Sequence, residues 1–169
     1  VASGLGGGSS DAAFTLIGLN HIWKLGWDKT KLSELGRKLG ADVPFFISET
    51  GTARGRGRGD EIHPIKSRLR GWLALVTFPF QVSTRLVYNE IKIGLTKPSS
   101  GVKLLIDLLR KGGWKGLEAS LYNSLEEVTI KKHPEILMVK DYLKAQGAAG
   151  VLMSGSGPSV FGIFRHKEE

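Results

Sequence analysis

The run Gly4-Leu5-Gly6-Gly7-Gly8-Ser9-Ser10-Asp11-Ala12-Ala13 constrains this chain more than any other segment. Four glycines and two serines lead directly into an apolar pattern of helical period. Glycine lets the backbone adopt positive φ and approach a ligand closely. The helix that follows turns unpaired N–H groups and the positive end of its dipole toward the loop. This is the composition of a loop that wraps phosphate, with the Ser9 and Ser10 hydroxyls as further contacts or as metal ligands. A flexible linker ending in a helix cap has a similar composition, but the strongly helical residues after it favour the phosphate loop. No lysine follows the glycines, which excludes a Walker A loop. Phosphate loops usually connect a strand to a helix. Here the loop starts almost at Val1, so a missing N-terminal part is expected.

The 169 residues are 41% hydrophobic and 24% charged, which suits a folded globular chain with a real core. No apolar run approaches the length that spans a bilayer. The absence of cysteine excludes disulfides, cysteine-bound zinc and thiol catalysis in this stretch, and fits a reducing compartment. The four histidines, His21, His63, His133 and His166, show no metal-ligand spacing. The formal net charge of +8 suits either nucleic acid or an anionic small molecule. Its densest cluster, Arg54-Gly55-Arg56-Gly57-Arg58-Gly59, resembles an RGG segment but is short and runs at once into Asp60 and Glu61. A basic turn near bound phosphates accounts for it as well as RNA does.

Periodicity predicts a helix from Asp11 to about Leu25, with Ala13, Leu16, Ile17, Ile22 and Trp23 inward and Asp11 in the first turn. A second helix is expected over 30–39, with Leu32, Leu35 and Leu39 inward and Gly40 as its stop. Val43 to Ser48 reads as a short buried run around Pro44. Strands are expected over 50–53, 61–65 and 72–77, then helices over 84–93, 102–111, 114–122 and 134–146. Gly147 would cap the last of these. Two short strands, 150–153 and 160–164, flank a second small-residue turn, Ser154-Gly155-Ser156-Gly157-Pro158-Ser159. The mixture is α+β.

Closing the two small-residue loops onto one site would make a polyphosphate cradle. Between them lies Leu39-Gly40-Ala41-Asp42-Val43-Pro44-Phe45-Phe46, whose lone carboxylate has two readings. Asp42 is either a capping or turn aspartate before the proline-containing segment, or a group that orients a hydroxyl proton beside a nucleotide's terminal phosphate. Phosphoryl transfer needs such a group, together with cations and N–H donors around the transferring phosphoryl.

The Gly4–Ala13 run resembles the phosphate-loop signature of the GHMP small-molecule kinases. The segments around Asp42, Gly51-Thr52-Ala53, Gly57-Arg58-Gly59-Asp60-Glu61, Pro79-Phe80, Val82-Ser83-Thr84, Tyr122-Asn123-Ser124-Leu125-Glu126 and Met153–Phe161 stand in the order of one branch of it. That branch is the family of 4-diphosphocytidyl-2-C-methyl-D-erythritol kinases of non-mevalonate isoprenoid biosynthesis. The resemblance implies the GHMP fold, with a ribosomal protein S5 domain 2-like N-terminal domain, mostly absent here, and a ferredoxin-like C-terminal domain. Residues 1–66 would be the end of the first, and 67–169 a second that is incomplete at its end. It further implies transfer of the γ-phosphoryl of ATP, with Mg2+, to the 2-hydroxyl of 4-diphosphocytidyl-2-C-methyl-D-erythritol.

On this resemblance Gly4, Leu5, Gly6, Gly7, Gly8, Ser9 and Ser10 hold the ATP phosphates, Ser10 is the candidate magnesium ligand, and Asp42 is catalytic. Gly155, Ser156 and Gly157 close the substrate side. Thr84 and Tyr88 fall near the cytidine end, where the Tyr88 ring either stacks on cytosine or belongs to the core of its helix. The lysine that partners the catalytic aspartate in the family lies on a first strand this chain does not contain, so the fragment alone is expected to be inactive. No nucleic-acid or membrane partner is implied, and the compartment is cytoplasm, or plastid stroma in a plastid-bearing cell. Another GHMP kinase of homoserine or mevalonate type, a non-catalytic nucleotide-binding module and a basic RNA-binding protein are the rival readings.

Overall fold

A computed structural model describes residues 4–91 and 100–167. The chain divides into two compact units, one of Gly6–Lys66 and one of Ser67–Glu169 together with Val1–Leu5. Gly4 and Leu5, at the start of the glycine run, thus belong with the later residues.

The first unit is built on α1 (Gly7–Ile22), α2 (Lys29–Leu39) and α3 (Val43–Ile47). Ala13, Leu32, Val43 and Ile47 are buried together, with Leu16, Ile17 and Phe46 packed against them. Asp28 starts α2 by accepting the Lys31 N–H at 2.8 Å. Gly36 lets α3 come close, because a Cβ there would meet Ile47 Cδ1 and Val43 Cγ1 at 2.9 Å. The run around Pro44 is helical, since proline is accommodated in a first helical turn, where it breaks no hydrogen bond. β1 (Ala53–Arg56) and β2 (Glu61–Pro64) form an antiparallel hairpin pairing Ala53 with Pro64 and Arg56 with Glu61.

Three expectations change in this unit. Ile22, Trp23 and Leu39 are exposed at helix ends, where no neighbouring element covers them. Because α1 starts at Gly7, Asp11 lies beyond its first turn. The strand expected over 50–53 starts at Ala53 instead, in register with β2 across the Arg56–Gly59 turn.

The second unit contains β3 (Trp72–Val76), α4 (Thr84–Glu90), α5 (Ser100–Lys111), α6 (Leu117–Ser120), α7 (Glu126–Lys132), α8 (Glu135–Ala145), β4 (Gly150–Met153) and β5 (Val160–Phe164). The strands form an antiparallel sheet in the order β3-β5-β4, pairing Trp72 with Phe164 and Met153 with Val160. Strand alternation sends Val160 and Phe164 of β5, Val151 and Met153 of β4, and Ala74 and Val76 of β3 to one core with Ile136 and Leu143 of α8. Leu73 and Leu75 point the other way and are exposed.

The helix expected over 84–93 ends at Glu90, and its last two residues lie outside the described ones. The helix expected over 114–122 shrinks to Leu117–Ser120, because Gly116 at φ +90 starts it and Leu121 is already extended. α7 is not among the helices expected from the sequence. Gly147 follows α8 at φ +91, with its N–H on the Lys144 carbonyl.

Candidate functional site

Gly6–Ser10 and Asp42 both lie in the first unit, whereas Gly4 and Leu5 belong to the second. Gly6 is the N-cap of α1 at φ 70 and brings no side-chain cap. The first N–H groups of the helix, from Gly7 onward, therefore keep the orphan donors that a cap would satisfy. Sixteen residues of aligned peptide dipoles stand behind them. Ser9 and Ser10 are half-buried, and their hydroxyls make no hydrogen bond among the described residues.

The corner between α2 and α3 lies against this helix start. A Cβ on Gly40 would fall 3.9 Å from Ser9 Oγ, and one on Gly6 would fall 3.2 Å from the Phe46 ring. Asp42 forms the N-cap position of α3 but its side chain caps nothing. The carboxylate is exposed and has neither hydrogen bond nor ion pair among the described residues. The side chain of Asp42 therefore makes no cap, while its backbone sits in the turn that enters α3. What remains is a free anionic acceptor two residues from a glycine that abuts Ser9.

The second small-residue turn, between β4 and β5, is organised differently. Ser156, Gly157, Pro158 and Ser159 are buried, and only Gly155 is exposed. The Ser156 hydroxyl hydrogen-bonds Thr84 Oγ1 at 2.8 Å, which joins two residues singled out separately from the sequence. Its carbonyl accepts from Thr129 Oγ1 at 3.1 Å. Ser156 is thus buried with its hydroxyl engaged by Thr84 and its carbonyl by Thr129. Thr84 opens α4 behind Ser83, whose hydroxyl accepts the Leu86 N–H. Tyr88, on the same helix, is 60% exposed, while Val87 fills the core. The core alternative for Tyr88 therefore does not hold.

Asn123 and Glu126 have no role that sequence reading assigns. Asn123 donates both carboxamide hydrogens, to Met153 O at 2.9 Å and Gly155 O at 2.7 Å, and accepts the Leu125 N–H at 2.9 Å. Glu126 accepts the Met153 N–H at 2.7 Å and pairs with Lys140, both side chains at most 15% exposed. At the other side of the turn, Ser154 Oγ donates to the Gly4 carbonyl at 2.7 Å. Gly4 needs to be glycine there: at φ +73, a Cβ would stand 2.2 Å from the Ser154 carbonyl oxygen.

The basic hairpin carries Arg56 and Arg58 in the open, and Arg37 reaches Asp60 at 3.8 Å. Among the described residues no group of three or more His, Asp or Glu is placed to hold a metal. Lys144, on α8, has its pKa raised by its hydrogen bond to Glu118 and the charge of that carboxylate. It plays no part in either loop. No helix among the described residues is long and apolar enough to cross a membrane.

Comparison with known proteins gives the following. Residues 1–50 match the GHMP kinases N terminal domain, and residues 105–169 match the GHMP kinases C terminal family. A 4-diphosphocytidyl-2-C-methyl-D-erythritol kinase of Syntrophus aciditrophicus is 43% identical over 169 residues, which is 100% of this chain and 59% of that protein. A crystal structure of 4-(cytidine 5'-diphospho)-2C-methyl-D-erythritol kinase is 39% identical with a TM-score of 0.76, over 96% of this chain and 57% of that one. A homoserine kinase from Cytophaga hutchinsonii shares the fold alone, at 18% identity and a TM-score of 0.74, over 99% of this chain and 58% of that one. The chain spans 57–59% of the length of these proteins.

Proposed function

This chain belongs to the GHMP kinases, and on that premise we propose that the protein is a small-molecule kinase moving the γ-phosphoryl of ATP to an alcohol. Its proposed acceptor is 4-diphosphocytidyl-2-C-methyl-D-erythritol, at the 2-hydroxyl. The observation that carries the reading is the unpartnered Asp42 carboxylate, set at a corner that abuts the uncapped glycine-rich start of α1.

In this mechanism the ATP phosphates lie on the Gly4–Ser10 loop. The N–H groups at the start of α1 and its dipole hold their negative charge without a lysine in the loop. Asp42 accepts a hydrogen bond from the acceptor hydroxyl, orients its oxygen toward the γ-phosphorus, and takes the proton as the P–O bond forms. ADP leaves with the electrons of the broken bond. Unpaired hydroxyl oxygens suit a hard cation, and Mg2+ needs only one or two protein oxygens beside those of a polyphosphate. Ser10 would hold it, where it would neutralise phosphate charge. On the acceptor side, the Gly155–Gly157 backbone closes over the substrate, Thr84 sets that turn through Ser156, and the exposed Tyr88 ring offers a face to cytosine. The 169 residues alone are expected not to turn over, in keeping with the longer relatives.

ADP release by the complete gene product, with diphosphocytidyl-methylerythritol, homoserine and mevalonate offered in parallel, tests the reading. Turnover with the cytidyl substrate alone is expected. Turnover with homoserine or mevalonate would keep the family and discard the acceptor, and ATP binding without any turnover would leave a nucleotide-binding module.

A further inference from the structure

We propose that Ser154 and Asn123 are positioning residues for ATP. Ser154 fixes the entry of the phosphate loop, and Asn123 fixes Ser154. The inference rests on reading Gly4–Ser10 as the phosphate loop.

Its basis is a continuous set of hydrogen bonds inside the second unit, to which Gly4 belongs. Asn123 holds the carbonyls on either side of Ser154, those of Met153 and Gly155, with one carboxamide group. Its own oxygen is fixed by the Leu125 N–H, so the amide can point its hydrogens only one way. Glu126 holds the Met153 N–H from the same segment. Residue 154 is thus clamped on both sides, through bonds that span 27 to 32 positions. The Ser154 N–H is bonded to the Ser159 carbonyl at 2.8 Å, which closes the turn. What remains of Ser154 is its hydroxyl, spent on the Gly4 carbonyl. Gly4 is pressed so closely on the turn that no side chain fits, and it leads directly into the Gly6 cap of α1. A loop made of glycine has little preference of its own for one path. An external hydrogen bond at its first residue removes part of that freedom before ATP arrives, which is preorganisation.

The test is calorimetric binding of ATP to the complete gene product and its variants, with melting temperature measured beside it. Ser154→Ala should weaken ATP binding roughly three- to tenfold, the worth of one such hydrogen bond. Ser154→Thr, which keeps the hydroxyl, should restore it to within about twofold of the parent. Asn123→Ala, which frees two carbonyls at once, should weaken binding more than Ser154→Ala does. Ile136→Val in the core of the same unit shows what lost stability alone does to binding, and should leave the ATP affinity where it was. The proposal is overturned if Ser154→Ala binds ATP like the parent, if Ser154→Thr is as weak as Ser154→Ala, or if Ile136→Val reproduces the loss. A parent that binds ATP with this pattern yet releases no ADP with any acceptor would sink the kinase reading alone. A parent that does not bind ATP would sink both.

Discussion

The start of α1 and the turn between β4 and β5 are both short runs of glycine and serine, yet they treat their polar groups in opposite ways. At the first, the helix has no side-chain cap, the Ser9 and Ser10 hydroxyls have no hydrogen bond among the described residues, and Asp42 on the abutting corner is bare. At the second, Ser154, Ser156 and Ser159 are all engaged, by Gly4, Thr84 and Thr77. A surface that binds a charged ligand must keep donors and acceptors unspent, because each internal bond is one the ligand cannot make. A turn that only shapes the site should spend them all. The same composition thus leaves its hydroxyls unspent in one place and engages them all in the other.

The contrast breaks most severely at Gly4. Gly4→Ala puts a methyl 2.2 Å from a carbonyl oxygen in a left-handed backbone, so ATP binding should be lost at millimolar concentrations. The backbone conformation alone costs roughly 1–3 kcal/mol in stability, visible as a fall of several degrees in melting temperature. Next is Glu126→Ala, which strands the Met153 N–H and leaves the half-buried Lys140 unpaired. Denaturant titration should show a loss of about 2–3 kcal/mol. If that variant were neutral, the turn would not be braced from α7 at all.

The smallest effect lies away from both loops. Lys144 is held above its usual 10.5 by Glu118, so it is more basic folded than unfolded. Its contribution is fully present below the unfolded value and disappears as pH rises through the folded one. Lys144→Met should lower the melting temperature slightly at neutral pH, with the parent and variant curves meeting at high pH. The pair is largely solvated, which keeps the effect small.

What could be read from the sequence divides along the same line. The glycine run that opens α1 and the corner that carries Asp42 each stand out in the sequence because each is a short contiguous segment. The bracing of the second turn does not, since Asn123 and Glu126 act on residues about 30 positions later, through strand pairing that no periodicity encodes. Their joint appearance in Tyr122–Glu126 is a signal that carries no task until the turn is folded. Helix interiors such as Ala13 and Leu32 follow the period, while Ile22, Trp23 and Leu39 depart from it at helix ends. A period describes one face of a helix and says nothing of how far along that face a neighbour extends.

The most direct measurement sets Asp42→Asn beside the parent in the complete gene product, with ATP affinity and kcat read on the same preparations. Because Asp42 supports neither a cap nor an ion pair among the described residues, the fold and the ATP affinity should be unchanged, while kcat falls roughly 10²- to 10⁴-fold. An Asp42→Asn variant with the parent's kcat would contradict the account, since the unspent Asp42 carboxylate would then have no part in the chemistry.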